Sequence, residues 1–404
     1  MKKTYNIYGF TGKVKRDVTF IPLRYVTALF LMAFGAGLII GAVVFLTIKV
    51  PFFWIFAVMM DILCLLMIIN STDSPEYKVP WMLVVLALPI IGFMMYFIFY
   101  GRKLSRSKRA RVAAVNSKKV HNHDSKILSE LKKQDEHQYR VFKLLKKIAN
   151  TSVYQNVDAK YYDLGDKLYV DMIEDLKKAE KYIYMEFFIV SDGLFLKNVM
   201  KILKEKVKAG VDVKFIYDDI GCISTLPGDY YKQLQNAGID CVLFNKLKGD
   251  ISGQANNRSH RKLIIVDGKV GYTGGINLAD EYINKKVRFG HWKDAGVRLT
   301  GPAVTELVNT FAEDFYINTR EECKPIKDLI PEHPAETTQP GYVVSYGDGP
   351  RVIYPRGVSK MMLLDMFNTA TKYVYVMTPY LVIDSEVRNA IINAALRGVD
   401  VRIM

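Results

Sequence analysis

The stretch "NNRSHRKLIIVDGKVGYTGGIN" (residues 256–277) places a histidine and a lysine two apart at the head of an apolar run, then an Asp-Gly pair. The run "LIIV" followed by "DGKVGY" reads as a β-hairpin, because Asp-Gly is a preferred two-residue turn. Alternation along its first strand puts His260, Lys262, Ile264 and Val266 on one face. His260 and Lys262 therefore address the same space, and Asp267 sits at the turn. Gly274 and Gly275 allow close approach of backbone N–H groups to a ligand, and Asn277 adds a neutral amide donor. The set suits a phosphodiester. An imidazole can attack phosphorus and form a covalent intermediate, while lysine and backbone donors hold the anionic oxygens. That chemistry needs no metal and no cofactor.

Outward from this hairpin the chain alternates strands and helices. "KYIYMEFFIV" (181–190) reads as a strand, "LFLKNVMKILKEKVKAG" (194–210) as a helix closed by Gly210, and "VDVKFIYDD" (211–219) as the next strand. "GDYYKQLQNAG" (228–238) and "IDCVLFN" (239–245) continue the pattern, so the fold class is α/β. The chain also repeats itself. "AEKYIYMEFF" from Ala179 is answered by "ATKYVYVMTPY" from Ala370, and "KAGVDVKFIY" (208–217) by "LRGVDVRIM" (396–404). The expectation is a duplicated α/β unit. The first copy spans 151–323, a proline-containing linker spans 324–341, and the second copy starts at 342 and is incomplete at Met404. A counterpart of His260 would fall near residue 448, so the chain is expected to be shorter than a complete two-copy protein.

The first hundred residues are of another kind. Residues 25–48, 52–69 and 81–100 are apolar runs near the ~20 residues that span a bilayer. They predict a membrane segment over 1–100. The net charge of +15 is concentrated beside it: residues 1–24 carry six Lys/Arg and one Asp, and residues 101–150 carry fifteen Lys/Arg and four acids. The basic helical stretch 101–150, with Val141, Leu144, Leu145 and Ile148 at helical spacing, places the chain from Gly101 onward in the cytoplasm. Three full spans then conflict with the basic N-terminus, so either the first two runs form a re-entrant hairpin or one of them does not span. The basic cluster reads equally as attraction to anionic lipid or as the positive-inside rule alone. Cys64, Cys222, Cys241 and Cys323 lack metal-type spacing and read as reduced thiols.

The residues His260-x-Lys262-x4-Asp267, continued to Gly275-x-Asn277, resemble the HKD motif of the phospholipase D superfamily. The blocks "YDDIG" (217–221) and "HWKDAGVRLTGPAV" (291–304), and the layout of membrane helices before two α/β copies, are similar to bacterial cardiolipin synthases. The resemblance implies a membrane-bound, multi-pass phosphatidyl transferase that condenses two phosphatidylglycerol molecules to cardiolipin and glycerol. It implies His260, Lys262 and Asp267 as the catalytic motif, with Asp267 structural or electrostatic rather than a proton carrier. It implies Lys262, Gly275 and Asn277 as phosphate-binding residues. In such proteins the histidines of two motifs meet at one site, one attacking phosphorus and the other carrying the proton. A homo-oligomer is one way to bring a second histidine to this chain.

Other readings have less support. "HNH" at 121–123 has no companion ligands and reads as charged helix surface, and His291 and Trp292 read as structural. Glu186, an acid within an aromatic strand, needs a partner. Residues 151–404 are near neutral overall, which disfavours nucleic acid as a partner. A rival within enzymes is another phospholipase D-type phosphodiesterase. A rival outside them is an inactive chain that binds anionic lipid.

Overall fold

The computed structural model describes residues 30–404 apart from 31–32, 36, 39, 43, 46–47, 51, 101–105, 123, 247–256, 320, 333–338, 350–352 and 355–356. Half of the expected apolar run 25–48, and His123 of "HNH", lie outside the described residues. Two units are distinguished. One is built mainly from 104–247 and 257–355, the other mainly from 19–103 and 356–404.

The first unit is organised by a seven-stranded sheet. Its strands are β1 (Asp158–Tyr162), β2 (Tyr182–Phe187), β3 (Asp212–Asp218), β4 (Asp240–Phe244), β5 (Leu263–Val266), β6 (Val270–Gly274) and β7 (Gly296–Thr300), in the order β1-β7-β6-β5-β2-β3-β4. β2, β3 and β4 are parallel; β5 runs antiparallel to β2, and β5, β6, β7 and β1 continue antiparallel. The expected hairpin is present. Asp267 and Gly268 both have positive φ (54° and 64°), and Lys269 N donates to Val266 O at 2.9 Å. Strand pairing resumes at Val266↔Val270, so three residues rather than two lie between the paired positions.

Helices cover both faces, which is why the central strands carry little alternation between polar and apolar residues. Ile183, Met185, Ile264 and Val266 pack with the helices Gly165–Lys177 and Leu194–Lys208. Tyr182, Tyr184, Leu263 and Ile265 pack with the helix Val304–Asn318, here called the covering helix. That helix is buried almost throughout and carries Glu306, Glu313 and Asp314 inward. The basic stretch 101–150 forms the helices Arg106–Asn116, Ser125–Gln134 and Glu136–Ala149. Part of its charge is tied into the fold: Lys119 pairs with Glu313, and Lys146 with Asp124. The sequence places the second α/β domain from 342 onward. Residues up to 355 instead cluster with the first unit, where Tyr354 is buried and donates to Glu313 at 2.8 Å.

The second unit holds the helices Phe53–Ile69, Pro75–Ala87 and Ile91–Tyr100, with a small core of Cys64, Ile68, Val85 and Tyr96. The run expected as one span over 81–100 is thus two helices. Pro89 is the physical reason: it disfavours helical backbone at the residue before it, and Leu88 adopts φ −129° and ψ 74°. Among the described residues no helix is long and apolar enough to cross a membrane. The helix Phe53–Ile69 nonetheless exposes Trp54, Ile55, Phe56, Met59, Ile62 and Leu66. The rest of the unit is the helix Val358–Thr369, the strand Tyr373–Val376, the helix Ser385–Leu396 and the strand Asp400–Ile403, the two strands pairing in parallel. All four cysteines are free and buried.

Candidate active site

Antiparallel pairing of β5 with β2 sets the geography. The start of β5 and the ends of β2, β3 and β6 share one edge of the sheet. This is the carboxyl edge of the parallel strands, where α/β sheets commonly hold ligands. His260 and Lys262 lie there, just ahead of β5. The His260 residue is exposed, and one face of its ring loses solvent to Phe188, 4.8 Å away between ring centroids. That desolvation, and then the positive charge of Lys262, lowers its pKa below the ordinary imidazole value. Lys262 is 5% exposed, donates from Nζ to its neighbour's His260 O at 2.6 Å, and lies 5.4 Å from the Phe188 ring centroid. Burial pushes its pKa down to about 8, with Asp294 and Glu186 acting in the opposite sense. A neutral imidazole beside a buried ammonium can serve chemically as a nucleophile beside an anion clamp.

Gly275 and Asn277, expected to bind phosphate, stand near this edge, and both have polar partners within the protein. Gly275 N donates to Ala295 O at 2.9 Å, continuing the pairing of β6 with β7. Its missing side chain matters, because a Cβ there would stand 1.9 Å from Asp294 Oδ1. Asp294 in turn is the carboxylate nearest in effect to Lys262, and its own pKa is raised by burial. Asn277 is buried; its Oδ1 accepts from Ile189 N at 2.9 Å and its Nδ2 donates to the Tyr282 hydroxyl at 2.8 Å.

Asp267 lies at the opposite edge of the sheet, beyond the far end of β5. Its carboxylate accepts from the backbone N–H groups of Glu180, Lys181 and Tyr182 at 2.9, 2.8 and 2.8 Å. It caps the entry to β2 rather than facing His260. Replacing Asp267 with alanine should therefore cost about 3 kcal/mol of stability, since three donors lose a charged acceptor, while kcat of the folded protein stays within a few-fold. Thermal unfolding and turnover of the Asp267→Ala variant check this; a collapse of kcat at unchanged stability would overturn it.

Several residues hold the site in place; the sequence singles out Glu186 among them as an acid needing a partner, but not Ser259, Arg261 or Asp314. Ser259 precedes the histidine, and its N donates to Asp218 Oδ2 at 3.2 Å while its hydroxyl donates to Glu186. Glu186 is fully buried, and burial together with the neighbouring Asp314 holds its carboxyl well above the usual range. Arg261 points to the other face from Lys262 and pairs with Asp314 of the covering helix. The strand carrying the histidine is thus anchored on both sides. His121 is hydrogen-bonded to Asn150 and is not part of this edge. His291 is exposed, and Trp292 packs on Tyr282 at 5.0 Å.

The sequence model described as "Cardiolipin synthase, PLD-like domain" matches residues 172–314, and the one described as "Phospholipase_D-nuclease N-terminal" matches residues 59–99. A cardiolipin synthase of Halalkalibacterium halodurans is 30% identical over 399 residues, covering 97% of this chain and 76% of the relative. One from Alkalihalophilus pseudofirmus is 31% identical over 344 residues, covering 84% and 67%. The chain belongs to the cardiolipin synthase family. An uncharacterized protein of Streptococcus mutans is also similar, 35% identical over 345 residues, covering 84% of this chain and 73% of that one. The phospholipase D-like match spans β2, β3, β5 and the covering helix as far as Asp314, so the domain that carries the cardiolipin synthase description contains His260, Lys262 and the anchors around them.

These two pKa shifts make a pH profile. The nucleophile must be neutral, and His260 loses its proton below the ordinary imidazole pKa of about 6.5. The clamp must be charged, and Lys262 loses its charge as pH rises through about 8. For any reaction that uses both, kcat/KM should be bell-shaped, with its alkaline limb near 8. Residual activity of Lys262→Arg should lack that limb, because a guanidinium does not titrate there. A limb that persists in Lys262→Arg would assign it to another group.

Proposed function

We infer that the chain is a phosphatidyl transferase that condenses two phosphatidylglycerol molecules to cardiolipin and glycerol at a membrane. The observation that carries this is the pairing of His260 with a buried Lys262 at the carboxyl edge of the sheet, in a member of the cardiolipin synthase family. A ring nitrogen of His260 attacks phosphorus and forms a P–N bond. The P–O bond to the leaving glycerol breaks, and that oxygen takes up a proton. The terminal hydroxyl of a second phosphatidylglycerol then attacks phosphorus and gives up its proton, and the P–N bond breaks. Lys262 holds the phosphoryl oxygens throughout.

The proton carrier is proposed to be a second histidine in the same sequence pattern. His260 is the one such histidine in the 404 residues, and a second copy of the chain in a homo-oligomer would bring another. A duplicated architecture is supported by detail. The strand pair Tyr373–Val376 and Asp400–Ile403 has the register Tyr373↔Asp400, as β2 and β3 have Tyr182↔Asp212. The Tyr375 hydroxyl donates to Asp400 at 2.7 Å, as that of Tyr184 does to Asp212 at 2.8 Å. Membrane attachment is supported by the exposed apolar side chains of Phe53–Ile69.

The test is to express the chain in a bacterium stripped of its own cardiolipin synthases, to purify it, and to follow both lipid and glycerol. Cardiolipin and free glycerol in equal amounts are expected from phosphatidylglycerol. Phosphatidic acid in place of cardiolipin would assign a hydrolase instead. No turnover by folded protein would overturn the proposal.

A further inference from the structure

The segment Lys285–His291, just beyond the site, is exposed throughout. Val287 and Phe289 are 81% and 80% exposed, more than the other large apolar side chains among the described residues of this unit. Single exposed apolar residues need no partner. These two sit within two residues of each other on a short closed loop. Asn284 closes it: its Oδ1 accepts from Trp292 N at 2.7 Å, and its Nδ2 donates to Trp292 O at 3.1 Å. Phe289 leans toward Trp292, 6.1 Å between ring centroids, and Trp292 packs on Tyr282. Lys285, Lys286 and Arg288 flank the tip, Lys293 follows its base, and the segment 285–293 has no acid. Arg288 is held by Glu281 at 3.2 Å, which leaves three lysines facing outward.

Both stems of the loop are joined to the site. On one side the Tyr282 hydroxyl accepts from Asn277. On the other, Asp294 lies against Gly275 and acts electrostatically on Lys262. We propose that the loop 284–293 is a docking element for an anionic lipid surface: Val287 and Phe289 enter the head-group boundary while the lysines engage lipid phosphates. This deepens the proposed function and rests on it, because a lipid phosphodiester must be delivered at the depth where His260 waits. An apolar tip flanked by lysines has the composition that binds anionic interfaces, and the Asn284–Trp292 hydrogen bonds close its base.

The experiment uses the whole chain carrying Phe289→Cys, labelled with an environment-sensitive fluorophore; the native cysteines are all buried, so the new thiol is the accessible one. The protein is reconstituted into phosphatidylcholine vesicles with or without phosphatidylglycerol, each with or without brominated lipid. The expected result is a blue-shifted emission quenched by brominated lipid when phosphatidylglycerol is present, and diminished in phosphatidylcholine alone or when Lys285 and Lys286 are changed to serine. A water-like, unquenched probe in anionic vesicles overturns the proposal. Equal quenching in both vesicle types overturns its anionic preference. None of these signals needs turnover, so they are read even if the transferase reading fails. As a second readout, Val287→Ser with Phe289→Ser should raise the apparent KM for vesicular phosphatidylglycerol about tenfold. It should leave the rate on a short-chain, monomeric phosphatidylglycerol unchanged; equal losses on both substrates would also overturn it.

Discussion

Replacing His260 by alanine should lower kcat/KM for the proposed cardiolipin formation by about a thousandfold or more, because the proposed covalent intermediate on His260 has no substitute. The fold should not notice. The His260 residue is exposed, and the backbone carbonyl that receives Lys262 Nζ survives the change. Ser259, which fixes the backbone before it through Asp218 and Glu186, is untouched. Thermal unfolding should therefore match the parent while product disappears from the lipid mass spectrum. Protein incubated with phosphatidylglycerol labelled in phosphorus should carry an acid-labile label in the parent and none in His260→Ala. If the variant keeps turning over at a comparable rate, His260 is not the nucleophile, and a direct attack of one lipid hydroxyl on the other's phosphorus replaces the two-step reading.

Replacing Arg261 by methionine should have the largest effect on stability, a loss of about 3–5 kcal/mol. The guanidinium pairs with Asp314, approaches Glu313 at 4.0 Å, and donates to Asp348 O at 3.2 Å and the Tyr354 hydroxyl at 3.3 Å. Glu313 keeps Lys119 and Tyr354. Asp314 and Glu186 would be left together with no cation between them in a buried layer. Methionine fills similar volume, so the loss would report charge rather than a cavity. The sign of its pH dependence follows. Uncompensated buried carboxyls hold protons more tightly when folded than when unfolded, so the deficit relative to the parent should shrink as pH falls. Chemical unfolding of both proteins at neutral and mildly acidic pH measures it. A deficit that does not change with pH would point to lost packing between β5 and the covering helix instead.

The contrast between Arg261 and its neighbours shows where the sequence speaks and where it does not. Strand alternation, legible in seven consecutive letters, puts His260, Lys262, Ile264 and Val266 on one face; the strand itself starts at Leu263, and His260 and Lys262 come together against Phe188. The turn at Asp267-Gly268 is equally local: both residues adopt positive φ, a conformation that aspartate and glycine tolerate. The strands and helices from Tyr182 to Phe244 fall within a few residues of their sequence expectations for the same reason. Pro89, which divides the third apolar run, is equally local: it disfavours helical backbone at Leu88 whatever the hydrophobic content around it.

Partners far apart in the chain were beyond such reasoning. Asp267 carries the motif's acid, yet only the pairing of β5 with β2 puts it at the edge away from His260, where it receives three N–H groups. Asn277 looks like a free amide donor until the β2 connection brings Ile189 to its oxygen and Tyr282 to its nitrogen. That position 275 must be a glycine because Asp294 lies where a side chain would stand is visible only in the fold. Glu186, Arg261 and Asp314 are separated by 53 residues or more in sequence and meet only because the covering helix lies across the sheet. The chain's local periodicities determined the elements and the His-Lys face. The tertiary structure decided which polar groups were already satisfied, because a hydrogen bond is set by distance in space and not by spacing along the chain.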